Sequence, residues 1–211
     1  MKDIILVCED LLGLEVYSIL DWINQWHRLK RKEIPYHVLG FISDEEAPFG
    51  SLCPGLPRLG AIQGWSPRGE EWYVMGIKTP AGKKCAAELL RQAGCRFETV
   101  YPPWLIPIPT PLGEGSVISA YTIHPDARFG RFVTVIGAMI ADYPVGDYST
   151  VLRFSNVIGP VGTETFVGSH VFSRMGRTIG DHCHLSDGSV VVNHVKPGTS
   201  VAGVPARKIN R

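Results

Sequence analysis

The sequence predicts two fold classes in one chain, a small open α/β sheet followed by an all-β parallel solenoid, and three observations carry this expectation. From about Leu105 to Arg211 an aliphatic or aromatic residue, often followed by Gly, recurs in six-residue steps. The first hundred residues instead alternate strand-like apolar runs with helical periodicity. Between them the stretch from Pro102 to Pro111 is Pro-rich and can continue neither a helix nor a central strand. The junction is placed there, dividing the chain into residues 1–103 and 104–211.

In the first part, Ile4 to Val7 is a continuous apolar run suited to a buried parallel strand, and Leu12, Val16, Ile19, Leu20 and Ile23 then recur at helical spacing. Tyr36 to Ile42 reads as a second strand and Trp72 to Ile77 as a third. Ala81 to Ala93 reads as a helix ended by Gly94, and Phe97 to Tyr101 as a last strand. Strands alternating with helices argue a small α/β sheet.

In the second part, Leu112-Gly113, Phe129-Gly130, Val145-Gly146, Val161-Gly162, Val167-Gly168 and Ile179-Gly180 mark turn starts. Val135, Val151, Val157, Ser173, Leu185 and Val191 fill six-residue steps between some of them. Fixed-period self-similarity with one small inward side chain per step signals a stacked solenoid in which three steps make a triangular coil. Gly after the aliphatic residue is expected to supply a turn conformation that a Cβ would oppose. Asp147-Tyr148 and Asp181-His182 are expected on the outer surface. A sandwich of short strands also gives even spacing, but six residues are too few for antiparallel hairpins with strands of usual length.

Composition adds limits. The chain of 211 residues is 45% hydrophobic and 19% charged with a net charge of +1, an ordinary globular balance without a global nucleic-acid or membrane signal. No apolar stretch approaches the ~20 residues needed to span a bilayer, and Met1-Lys2-Asp3 opens directly into a strand instead of a cleavable signal. The five cysteines are scattered without C-x-x-C spacing, which indicates neither a disulfide framework nor a zinc ribbon. A reduced, cytoplasmic setting is expected.

The hexad pattern and the ending from Gly198 to Arg207 resemble the left-handed parallel β-helix of the hexapeptide-repeat acyltransferases. The two-part layout is similar to sugar acyltransferases of the sialic-acid O-acetyltransferase and bacillosamine N-acetyltransferase type, in which a small Rossmann-like sugar-nucleotide domain precedes the β-helix. The resemblance supplies the handedness, which spacing cannot. It also implies a homotrimer, acetyl-CoA as acyl donor, no metal, and a sugar or nucleotide-sugar acceptor.

The residues depart from that family at two places. Its nucleotide loop is Gly-rich, whereas Cys8-Glu9-Asp10-Leu11-Leu12-Gly13 offers two carboxylates and two bulky leucines. These would repel a diphosphate but suit a helix N-terminus. Asp44 and Glu45 after the second strand resemble the family's acidic turn, which contacts a ribose or base. The family's general base is a His on a β-helix turn, an imidazole being suited to proton transfer near neutral pH. Here that position falls on Ala141, Asp142 or Tyr143, and no His occurs between His124 and His170.

The residues left to act on the acceptor are His124, about one coil below the vacant position, and the pair Asp142 and Tyr143. His170 and His182, twelve residues apart, are expected on different faces, and each reads as a solvated turn residue. His184 and His194 lie near the C-terminal end, where the family has no base. For the acyl donor, the resemblance assigns Arg174, Arg177, Lys196, Arg207 and Lys208 as cations for coenzyme A, with Gly176, Ala202 and Gly203 allowing close backbone approach. Two functions follow: an acyl-CoA-dependent transferase acting on a sugar hydroxyl or amine in a glycan or cell-surface pathway, or a catalytically degenerate trimeric scaffold that keeps the fold.

Overall fold

The structure, a computed structural model, describes residues 1–44, 53, 55–105 and 112–210. Glu45, expected in the acidic turn, lies outside the described residues.

The first unit runs β1 (Lys2–Cys8), α1 (Leu11–Leu29), β2 (Tyr36–Ile42), β3 (Arg58–Gly60), β4 (Trp72–Gly76), α2 (Pro80–Gln92) and β5 (Arg96–Phe97). All neighbours pair in parallel in the order β3-β2-β1-β4-β5. β1 is central, which is why its residues from Ile4 onward are buried on both sides. Helix α1 buries the apolar stripe Leu12, Val16, Ile19, Leu20 and Ile23. It approaches β4 closely: a Cβ on Gly76 would stand 2.9 Å from the Cα of Gly13. The expected last strand is shorter than its apolar run, because Val100 leaves the sheet to bridge Val117 of the second unit.

The second unit is a three-sided stack of parallel strands. One face is built from β6 (Val117–Ser119), β9 (Thr134–Ile136), β12 (Thr150–Val151), β14 (Phe166–Val167), β16 (His184–Leu185) and β18 (Ser200–Ala202). The second is β7 (Thr122–Ile123), β10 (Met139–Ile140), β13 (Asn156–Val157), β15 (Phe172–Ser173) and β17 (Val190–Val191). The third holds β8 (Arg128–Phe129) and β11 (Pro144–Val145), continued by bridges through Val161, Ile179 and Val195. Stacked aliphatic side chains of all three faces make one buried core. The chain ends with β19 (Arg207–Ile209), which turns back antiparallel on β18 and covers the last strand edge.

Val167, six residues after Val161, stacks on the first face above Val151, as the six-residue step requires. The structure corrects two expectations. The Gly residues after the aliphatic positions serve close stacking instead of a left-handed turn. A Cβ on Gly146 would stand 2.6 Å from the carbonyl carbon of Gly162, and one on Gly180 2.6 Å from the nitrogen of Pro197. The left-handed positions fall instead on corner residues such as Phe132, Tyr148, Glu164 and His182. Finally, Tyr148 is buried, because the first unit docks over that corner. Its ring stacks on Phe132 at 5.4 Å, and Phe132 meets Phe97 edge-on at 4.8 Å.

Lys83 of α2 anchors the same docking. Its side chain is fully buried, and its Nζ donates to Thr134 Oγ1 and Thr150 Oγ1, both at 2.8 Å, and to the Ser149 carbonyl at 3.2 Å. At the rim Arg153 pairs with Glu15 at 3.1 Å and Lys84 with Glu164 at 2.7 Å.

Candidate functional site

The loop after β1 folds as its sequence suggests. Asp10 is the N-cap of α1, its Oδ1 accepting the Leu12 N–H at 2.8 Å. Its Oδ2 accepts the Lys78 N–H at 3.3 Å, beyond the end of β4. Strands β1 and β4 flank the point where strand order reverses, the crevice in which open α/β sheets take up ligands. A carboxylate of the chain itself therefore holds the backbone donors there that a phosphate would otherwise use. Asp44, at the exposed end of β2, accepts the Gln63 N–H at 2.9 Å and is tied into the sheet's own turns.

His124 and Ala141 share a corner column between the second and third faces, one coil apart, as ladder bonds from His124 N to the Ile140 carbonyl and from Ala141 N to the Val157 carbonyl show. Arg174 stands higher in the same column. His124 is half exposed, with Nδ1 accepting the Asp126 N–H at 3.2 Å. Asp142 is exposed and Tyr143 half-buried on the adjoining turn. The structure brings these three near one another on an open corner.

The cations expected to hold a coenzyme divide into two groups. Lys196, Arg207 and Lys208 line one cavity of about 430 Å³ at the C-terminal end, together with His194. Ala202 lies in β18 and Gly203, at φ 91, follows it. Arg174, Gly176 and Arg177 form a turn on the coil below, closed by the Arg177 N–H to the Arg174 carbonyl at 3.1 Å. Arg177 Nη1 reaches His194 Nε2 at 3.4 Å, which joins this turn to the rim of the cavity. Its Nε is buried without a hydrogen-bond partner among the described residues.

Another cavity, of about 710 Å³, opens where the two units meet, and sequence reasoning did not point to it. Lys78 to Ala81 line it from the N-terminus of α2, and Glu164, Phe166, His182, His184 and Asp187 line it from the β-helix. The rings of Phe166 and His184 stack at 4.7 Å, 13° from parallel, and Lys78 Nζ stands 5.3 Å from the Phe166 ring centre. The sequence signal was two histidines two positions apart, of which His182 reads as a solvated turn residue until the first unit is placed beside it. His170 sits on a different corner, stacked on Phe154 at 4.9 Å, as its spacing from His182 suggested. Among the described residues no three His, Cys, Asp or Glu side chains group to hold a metal ion.

No protein-family model matches the chain. A stretch of 49 residues, 23% of this chain, is 41% identical to galactoside O-acetyltransferase of Escherichia coli (strain K12), and spans 24% of that protein's length. Two solved structures are similar along the whole chain. The acetyltransferase domain of PglB from Neisseria gonorrhoeae FA1090 superposes with a TM-score of 0.78 at 17% identity, covering 99% of this chain and 100% of that one. PerB from Caulobacter crescentus, solved with CoA and GDP-perosamine, does so with a TM-score of 0.76 at 19% identity, covering 100% and 98%. At such identities the likeness establishes the fold. That fold, an α/β unit joined to a three-sided parallel β-helix, is the one the repeats suggested.

Proposed function

We propose that this protein is an acyl-CoA-dependent acyltransferase, with acetyl-CoA as donor, modifying a hydroxyl or amine of a sugar or related small molecule in a glycan or cell-surface pathway. The observation that carries the reading is the joining of an α/β unit to a three-sided β-helix, an arrangement that PerB, solved with CoA and GDP-perosamine, matches from end to end. In this reading residues 1–103 are a Rossmann-like acceptor unit and residues 104–211 a left-handed β-helix that holds the donor. The scaffold alternative is not favoured, because solved proteins that share the fold are an acetyltransferase domain and a GDP-perosamine N-acetyltransferase.

Coenzyme A would lie toward the C-terminal coils, its phosphates at Lys196, Arg207 and Lys208, with Arg174 and Arg177 along its path and Gly176, Ala202 and Gly203 admitting it to the backbone. The acceptor's amine or hydroxyl attacks the thioester carbonyl directly, and the thiolate of coenzyme A leaves. The corner of His124, Asp142 and Tyr143 is open in the single chain and would be enclosed only where a second copy covers it, as in a cyclic homotrimer. Asp44, just beyond the end of β2, and Glu45, next to it in sequence, are the acceptor contacts of this reading. A cytoplasmic setting fits a CoA-dependent reaction.

Calorimetry with coenzyme A tests the donor half. Replacing Arg207 and Lys208 together by Glu is expected to weaken binding at least tenfold, and unchanged binding would remove these residues from the site.

A further inference from the structure

We infer that the 710 Å³ cavity between the units is where this chain activates its acceptor, with His182 taking the acceptor's proton, Glu164 orienting His182, and the stacked Phe166 and His184 rings forming a platform for the acceptor. This rests on the acyltransferase reading and supplies the base that the repeats omit. His182 is fixed at a corner with φ 54, its backbone N–H donating to the Thr163 carbonyl at 2.8 Å. Its Nδ1 stands 3.8 Å from Glu164 Oε2, within ion-pair reach and longer than a hydrogen bond. Glu164 Oε1 meanwhile accepts from Lys84 Nζ at 2.7 Å.

Glu164 is thus held at one oxygen by the first unit and offers the other to the imidazole. A base oriented by a third group is the arrangement that activates a nucleophile, and its contacts tighten when substrate binds. His124, by contrast, meets only Asp126 from its own turn. The platform suits a sugar, whose C–H face packs on aromatic rings while its hydroxyls reach polar groups at the rim.

In the step itself the acceptor N–H or O–H gives its proton to His182 Nε2 while its lone pair bonds to the thioester carbonyl carbon. The C–S bond then breaks with its electron pair on sulfur, and the imidazolium returns the proton to the thiolate. The charged and titratable groups that line the cavity with His182 are Glu164, Cys183, His184 and Asp187 from the β-helix and Lys78 from the first unit, with Lys84 paired to Glu164.

The test measures acetyl-CoA consumption against free amino sugars and UDP- and GDP-linked amino sugars. His182→Asn is the informative variant, since Asn tolerates the left-handed backbone. It is expected to lower kcat by about 100 to 10,000-fold with coenzyme A affinity unchanged, the residual rate rising toward high pH as the acceptor loses its own proton. Glu164→Gln should lower kcat less and move the acidic limb of the pH profile. A wild-type rate that survives His182→Asn within twofold, or a loss confined to KM, overturns the inference and leaves the acyltransferase reading standing. A wild-type protein inactive with every acceptor overturns both.

Discussion

Two residues show how far side-chain chemistry alone could be read. Asp10 was legible, because a carboxylate one residue before an apolar helical stripe is an N-cap signal, and the structure seats it there. Holding the Lys78 N–H as well, it should keep a diphosphate out: UDP is expected to bind the protein weakly or not at all in calorimetry. Replacing Glu9 and Asp10 by Gly should raise UDP affinity while costing only roughly a few tenths of a kcal/mol of stability, because Gly is itself tolerated as an N-cap. Tight UDP binding by the unaltered protein would contradict a loop closed to phosphate.

Lys83 was not legible, since a lysine in an amphipathic helix ordinarily faces water and only the docking of the second unit buries it. Burial pushes its pKa down from 10.5 to about 7, partly opposed by the charge of Asp10. The unfolded chain keeps this proton up to the ordinary lysine range, so between about pH 7 and 10 it binds more protons than the folded protein, and stability should rise with pH across that window. Unfolding by urea at several pH values should show the wild type gaining on Lys83→Met by a few kcal/mol, because each tenfold difference in proton affinity between the two states is worth about 1.4 kcal/mol. Parallel pH curves for the two proteins would mean that the folded state holds an ordinary ammonium.

At the scale of elements, long periodic signals were legible and short polar ones were not. Helix α1 and the stacked columns follow from apolar spacing, which the core repeats coil after coil. Strand β3 has three residues without apolar alternation, and β19 reads as a basic tail until it pairs back on β18. The role of the Gly repeats was hidden because a sequence shows which residue lacks a Cβ but not whether turn or neighbour requires it. The distinction is measurable. Gly146→Val must push its side chain into the backbone of the next coil and should cost about 1 to 3 kcal/mol or more. Gly188→Asn, in open space at a left-handed position, should cost less than about 1 kcal/mol. Equal losses would show that coil stacking is not what the Gly residues serve.

At the scale of the whole molecule, the change from alternating strands and helices to six-residue repeats was legible, while the interface between the two parts was not. The packed rings of Phe97, Phe132 and Tyr148 and the rim pairs of Glu15 with Arg153 and Lys84 with Glu164 join residues far apart in sequence, and no local pattern announces them. The cavity at that interface was hidden for the same reason. A homotrimer through the β-helix is expected, and light scattering should give three times the chain mass; a monomer at micromolar concentration would count against the closed corner at His124, Asp142 and Tyr143. The decisive experiment follows the reaction itself: release of free coenzyme A thiol from acetyl-CoA with the panel of amino sugars and nucleotide sugars, followed by mass spectrometry of the acceptor. An acyltransferase should release thiol in dependence on one class of acceptor and leave that acceptor heavier by one acetyl group, whereas coenzyme A binding without transfer to any acceptor would contradict the proposed activity.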